Sequence, residues 1–151
     1  METRHGEYLI SDDPARLDAA AIHGYLRRSY WCENIPLETV RRSLANSLCI
    51  GAYAGASQVG LVRVISDYAT YAYLCDVYVL EEHRSRGVAR AMMTVTVRHP
   101  RLQGLRSWNL RTRDAHPLYA EFGFQVVDDP GRYMIRRLPG GYHTAPGSGT
   151  T

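Results

Sequence analysis

Leu74-Cys-Asp-Val-Tyr-Val-Leu-Glu-Glu-His-Arg-Ser-Arg-Gly-Val-Ala-Arg-Ala-Met-Met93 is the stretch on which the reading of this chain turns. Thr70–Leu80 is long and rich in Tyr and Val, the composition of a strand. A short turn follows, and Gly87–Arg98 has the pattern of a helix stopped by His99-Pro100. A strand that passes through a glycine turn into a helix makes an anion site. The first N–H groups of a helix have no internal partner and point outward with the positive end of its dipole. Gly87 lets the backbone come close to an anion, and Arg84, Arg86 and Arg90 add charge-assisted donors. Spacing alone leaves a second reading open, an ordinary basic helix start at the surface.

Upstream, Cys49–Ala54, Gln58–Ser66 and Thr70–Leu80 follow one another at hairpin spacing, so three antiparallel neighbours are expected. Before them, Glu7–Ser11 is a short strand, and Asp12-Asp13-Pro14 opens a helix over residues 14–28. Tyr30–Asn34 is a loop, and Pro36 opens a second helix running to Ser47. Downstream, Ser107–Thr112 is a strand and Ala115–Phe122 a helix ended by Gly123. Phe124–Val127 and Arg132–Arg137 are expected as a closing pair of strands. The order is that of an α+β domain, a mixed sheet with helices packed on it, over residues 1–138. Residues 139–151, rich in Gly, Pro, Ser and Thr, are expected as a flexible tail.

A chain of 151 residues is one domain with enough bulk to bury a core. All 18 of its Lys+Arg residues are arginine. Schiff-base, pyridoxal and Walker-type mechanisms, which need a lysine, are excluded, and a planar donor suited to phosphates remains. Tyr outnumbers Phe 11 to 2, so many buried rings carry a hydroxyl that needs a partner. The net charge of +3 is spread along the chain and does not argue for nucleic acid. No apolar run reaches the ~18 residues of a membrane span, and Met1–Ile10 holds no signal-peptide core. Cys32, Cys49 and Cys75 show no C-x-x-C spacing. They read as free thiols of a cytoplasmic protein, with no metal expected.

Two blocks resemble one known family. Arg84-x-x-Gly87-x-Ala89 is similar to the acyl-CoA signature of the GNAT acetyltransferases, [Q/R]-x-x-G-x-[G/A], and Asp76-Val-Tyr-Val79 looks like that family's fourth strand. Ala115-x-x-Leu118-Tyr119-x-x-Phe122-Gly123-Phe124 resembles its second signature, and the element order agrees from Glu7 to Arg137. The resemblance implies a GNAT-like fold: a central mixed, mostly antiparallel sheet splayed between the fourth and fifth strands, with helices on both faces.

It also implies site residues. Pantetheine would lie in the splay against the backbone of Val77 and Val79, and the pyrophosphate on Arg84, Ser85, Arg86, Gly87, Val88 and Ala89, with Arg90 beside it. Tyr119 matches the family tyrosine that protonates the departing CoA thiolate. A phenol of pKa about 10 can protonate a thiolate of pKa about 8.5. Thr112 stands where many members carry a cofactor-binding Asn. Cys75 stands where polyamine-type members carry a glutamate base. Asp76 is then the nearest candidate for that base, directly or through a water; its alternative role is a structural carboxylate paired with an arginine. Glu81, Glu82 and His83 read as solvated turn residues, and His116 as a bystander near Tyr119.

The acceptor pocket is expected from the loop between the first two helices and from the third and fourth strands. Tyr30 and Trp31 either line it or staple the loop to the core. Arg63, Tyr71, Tyr73 and Cys75 are further wall candidates, and an arginine there would suit an acceptor with a carboxylate. The expected activity is transfer of an acetyl group from acetyl-CoA to a primary amine of a small molecule by direct attack in a ternary complex, in a monomer or homodimer. Cys75 alone keeps an acyl-cysteine route open. The alternatives are a protein or peptide N-acetyltransferase and a non-catalytic acyl-CoA-binding module.

Overall fold

Six strands form one sheet in chain order: β1 (Glu2–His5), β2 (Tyr8–Ser11), β3 (Leu48–Ala54), β4 (Ser57–Ser66), β5 (Tyr71–Val79) and β6 (Ser107–Leu110). Neighbours are antiparallel except β5 and β6, which run parallel. The helices are α1 (Ala19–Leu26), α2 (Leu37–Ala45), α3 (Val88–Val97) and α4 (His116–Ala120). This computed structural model describes residues 1–139 and 141–142; the rest of the expected tail lies outside them.

The central strands are apolar on both faces because both are covered. Ile50, Val62 and Val64 meet Met92 and Met93 of α3 on one face. Cys49 and Leu61 meet Ile22, Leu26, Val40 and Leu44 of α1 and α2 on the other. A Cβ at Gly60 would lie 2.9 Å from the Met92 methyl and 3.0 Å from the Tyr78 carbonyl oxygen, so glycine is what lets α3 close onto β4.

Three expectations need correction. The helix expected over 14–28 is two pieces. Asp13 caps a 3₁₀ turn at Pro14–Arg16, and Asp18 accepts from the Ala21 N–H to start α1 afresh. β1 was not expected because its residues are exposed or nearly so and carry no apolar pattern; it is held by backbone pairing at the sheet edge. The closing strands are absent. Phe124 packs on Trp108 and Tyr119, but Val126, Met134 and Ile135 face solvent. Alternation yields a strand only where an edge receives it, and β6 offers four residues already half-exposed.

Two irregularities in β5 build the site. Arg63 lies opposite Cys75 and Leu61 opposite Tyr78, two steps on β4 against three on β5. The extra residue is a β-bulge, and Asp76 within it takes a left-handed φ of 50°. The bulge reverses the phase of the strand. Ala72 and Leu74 face the α3 side, and so do Val77 and Val79 beyond it, while Tyr78 joins the α1/α2 side. The second irregularity is the splay. β5 and β6 pair from Tyr71 opposite Ser107 to Leu74 opposite Leu110 and no further, so the edge of β5 from Cys75 to Val79 has no neighbour on that side.

Candidate active site

The turn from β5 into α3 is shaped by two left-handed residues, Ser85 (φ 60°) and Gly87 (φ 76°). Such a turn gathers successive N–H groups on one side as an anion-binding concavity. The α3 N-terminus adds its own, since no side chain caps it. His5 holds the turn from behind, its Nε2–H donating to the Arg86 carbonyl at 2.8 Å.

The three nearby arginines point elsewhere. Arg84 donates from Nε to the Val79 carbonyl and from Nη2 to the Tyr25 hydroxyl, both at 3.0 Å. Arg86 reaches Glu7 at 3.2 Å. Arg90 donates from Nε and Nη2 to the two carboxylate oxygens of Glu121 at 2.6 and 2.9 Å. In this structure each of the three guanidiniums engages an acceptor of the protein itself, and the turn presents its backbone N–H groups without a side-chain cap. Val88 is buried in the core and Ala89 half-buried beside the turn.

Three cavities share Tyr119 in their lining, and two of them flank the splay and the α1–α2 loop. One of about 680 Å³ fills the splay, between Val77, Val79, Arg84 and Ala89 on one side and Leu118 and Tyr119 on the other. The second, of about 710 Å³, lies under the α1–α2 loop and is walled by Tyr30, Trp31, Arg63, Tyr73, Cys75 and Asp76, with Tyr119 at its base. Burial pushes the Tyr119 phenol up to about 12, with Tyr30 and Asp114 adding to the shift. The phenol is protonated throughout the neutral range.

Asp76 is the hub of the second cavity. It is 6% exposed. Its Oδ2 accepts from Arg63 Nε at 2.6 Å, and its Oδ1 from Trp31 Nε1 at 3.0 Å and from the Cys32 thiol at 3.7 Å. Both oxygens are occupied, so of the two roles open in the sequence the geometry realises the paired carboxylate. Trp31 is thereby both wall and staple. Arg63, in turn, is committed through Nε to Asp76 and through Nη1 to the Ser47 hydroxyl, and separating a buried pair would strand two charges.

Burial pushes the Cys75 thiol up to about 12, against the pull of Arg63. Little thiolate exists to attack an acyl group. The Thr112 hydroxyl accepts from the Ala115 N–H at 3.0 Å and so shapes the entry to α4. His116 borders the third cavity, which is lined also by Trp108, Thr112, Tyr119 and Phe124, and Tyr71 is exposed at the first residue of β5.

Sequence reading missed Cys32, Arg111, Arg113, Asp114 and Arg137, all of which line the second cavity. Arg113 and Asp114 sit only six and five residues before Tyr119, a signal that was available. Arg137 gave none, because its position depends on where the C-terminal segment runs. Tyr142 also comes near; burial raises its phenol, and Cys32 and Asp76 add to this. Among the described residues there is no group of three or more His, Cys, Asp or Glu side chains placed to hold a metal.

A sheet splayed beside an uncapped helix start, with a protonated tyrosine where two cavities join, defines an acyl-CoA-dependent acyltransferase scaffold. Comparison with known proteins agrees. Residues 45–126 match the model of the acetyltransferase (GNAT) domain. A Gibberella zeae protein named as an acetyltransferase is 34% identical over 77% of this chain and 77% of its own length. A crystal structure named as a GNAT-family acetyltransferase, from Xanthomonas campestris pv. campestris, is 46% identical, covers 93% of this chain and 99% of its own, and superposes with a TM-score of 0.88. A Clostridium acetobutylicum acetyltransferase solved with acetyl-CoA shares the fold, with a TM-score of 0.62 over 91% of this chain and 96% of its own at 16% identity. The chain belongs to the GNAT acetyltransferase family. No helix among the described residues is long and apolar enough to cross a membrane.

Proposed function

We propose that this acetyltransferase moves the acetyl group of acetyl-CoA to a primary amine of a small molecule, by direct attack while both are bound. The observation that carries the reading is Tyr119 at the junction of the two cavities. The open edge of β5 from Cys75 to Val79 suits an extended amide-bearing pantetheine, bound as a further strand would be. The amides around Ser85, Gly87 and Val88 suit its pyrophosphate. A second cavity of about 710 Å³ has the size of a small-molecule site.

In the step itself the neutral amine nitrogen bonds to the acetyl carbon, and the carbon–sulfur bond breaks. The Tyr119 phenol gives its proton to the departing sulfur, and the nitrogen loses one to water in the acceptor cavity. Tyr119 is then reprotonated from solvent. An alkylamine of pKa near 10.4 needs roughly 4–5 kcal/mol to be neutral at pH 7. With Asp76 engaged by three donors, water takes up that proton. Asp76 acts as a positioning residue that fixes Trp31 and Arg63 as cavity walls. The three free thiols, Cys32, Cys49 and Cys75, support a reducing, cytoplasmic setting.

The test is initial-rate kinetics with acetyl-CoA and a panel of primary amines, following CoA release and the N-acetyl product. Direct attack gives intersecting double-reciprocal lines. Parallel lines would show a covalent acetyl-enzyme instead, and CoA binding without product from any amine would overturn the reading.

A further inference from the structure

The acceptor cavity holds more cations than carboxylates: Arg63, Arg111, Arg113 and Arg137 against Asp76 and Asp114, four against two. The Arg63–Asp76 pair cancels within the wall at 2.6 Å. Arg113 lies 3.8 Å from Asp114 and stacks over the Tyr30 ring at 3.9 Å. Arg111 and Arg137 are left without an ion pair among the described residues. Other arginines, Arg4, Arg27 and Arg98 among them, also form no ion pair among the described residues, but Arg111 and Arg137 are the two of that kind that line this cavity. Arg111 follows the last residue of β6, and Arg137 arrives from the C-terminal segment, so two unrelated pieces of chain bring unneutralised guanidiniums to one cavity. Like charges brought together repel, and a guanidinium's planar fork is matched by the oxygens of a carboxylate or phosphate.

We propose that the acceptor is an amine that also carries an anionic group, held by Arg111 and Arg137 while the amine end reaches toward Tyr119. This rests on the acetyl-transfer reading above and names its substrate class. The carboxylate-reading role expected for Arg63 passes to Arg111 and Arg137, which have no internal partner to give up.

The test compares acceptors of similar amine basicity that differ in the anion: 4-aminobutyrate with butylamine, and phosphoethanolamine with ethanolamine. The anionic member of a pair is expected to show at least about tenfold higher kcat/KM, mainly through KM. The carboxylate and phosphate arms show which anion the site takes. Arg111→Gln and Arg137→Gln are each expected to raise that KM and bring the ratio within the pair toward one. Equal ratios, or preference for the uncharged member, would overturn the proposal and leave acetyl transfer standing. If no amine is turned over, the acetyl-transfer reading fails, and the anion site is judged by quenching of tryptophan fluorescence with propionate and propionamide. Propionate-specific quenching lost in Arg111→Gln/Arg137→Gln supports the site. Equal response to both ligands overturns it.

Discussion

Arg63 Nε donates to Asp76 Oδ2 at 2.6 Å across the strand pair β4–β5, at the bulge in β5. The bulge delivers the carboxylate to the α1/α2 face, and the pair then orders Trp31 through Oδ1. Asp76→Asn isolates the charge, because Asn tolerates left-handed backbone as Asp does. Leaving Arg63 uncompensated is expected to cost about 3 kcal/mol in urea unfolding. Arg63→Met/Asp76→Asn should lose clearly less than the two single changes together. Strict additivity would show that the pair is not coupled.

Gly87 carries the turn into α3 with a φ of 76°, and a Cβ there would approach His5 Nε2 to 3.0 Å. Gly87→Ala is expected to cost about 1–2 kcal/mol, read as a fall in Tm of about 2–8 °C. CoA affinity measured by calorimetry should fall as well, since the N–H groups of the turn are displaced. Unchanged affinity in a folded variant would remove the backbone anion site from the account.

Cys75 lies in the acceptor wall with its thiol pushed up to about 12 by burial. Cys75→Ala is expected to retain turnover with only a modest change in acceptor KM. Wild-type protein quenched after exposure to labelled acetyl-CoA should carry no acetyl thioester. With no lysine in the chain, label on the protein would have its amine target at the N-terminus. A stoichiometric thioester on Cys75 would restore the covalent route.

The pH dependence of kcat follows from the phenol. In the proposed reaction its acid form is the active one, and burial extends that form upward to about 12. The rate at saturating substrates should therefore not fall as pH rises from 7 to 10, where an ordinary tyrosine would begin to ionise. A descending limb near pH 9 that disappears in Tyr119→Phe would contradict the burial of this group.

The motif blocks made the scaffold legible, because Gly87 and Tyr119 each stand in a short local pattern. The three central strands were legible from β-rich runs at hairpin spacing, and α3 from its glycine start and His99-Pro100 stop. The bulge was not. Strict alternation through Leu74, Asp76 and Tyr78 would send Asp76 to the α3 face, and only the pairing with β4 shows the phase reversal. The partners of Arg84, Arg86 and Arg90 were hidden for a similar reason, since Tyr25, Glu7 and Glu121 are distant in sequence. The segment from Phe124 to Arg137 alternates as strands do but does not pair with the short edge strand β6, so composition misled there.

The central claim is that acetyl transfer takes place beside Tyr119, and single-turnover kinetics of Tyr119→Phe tests it most directly. Acetyl-CoA affinity is measured in parallel by calorimetry. The phenol's removal should slow CoA release with a working acceptor by about 10²-fold or more while acetyl-CoA binds as tightly as to wild type. Release at the wild-type rate would contradict the assignment of the proton donor.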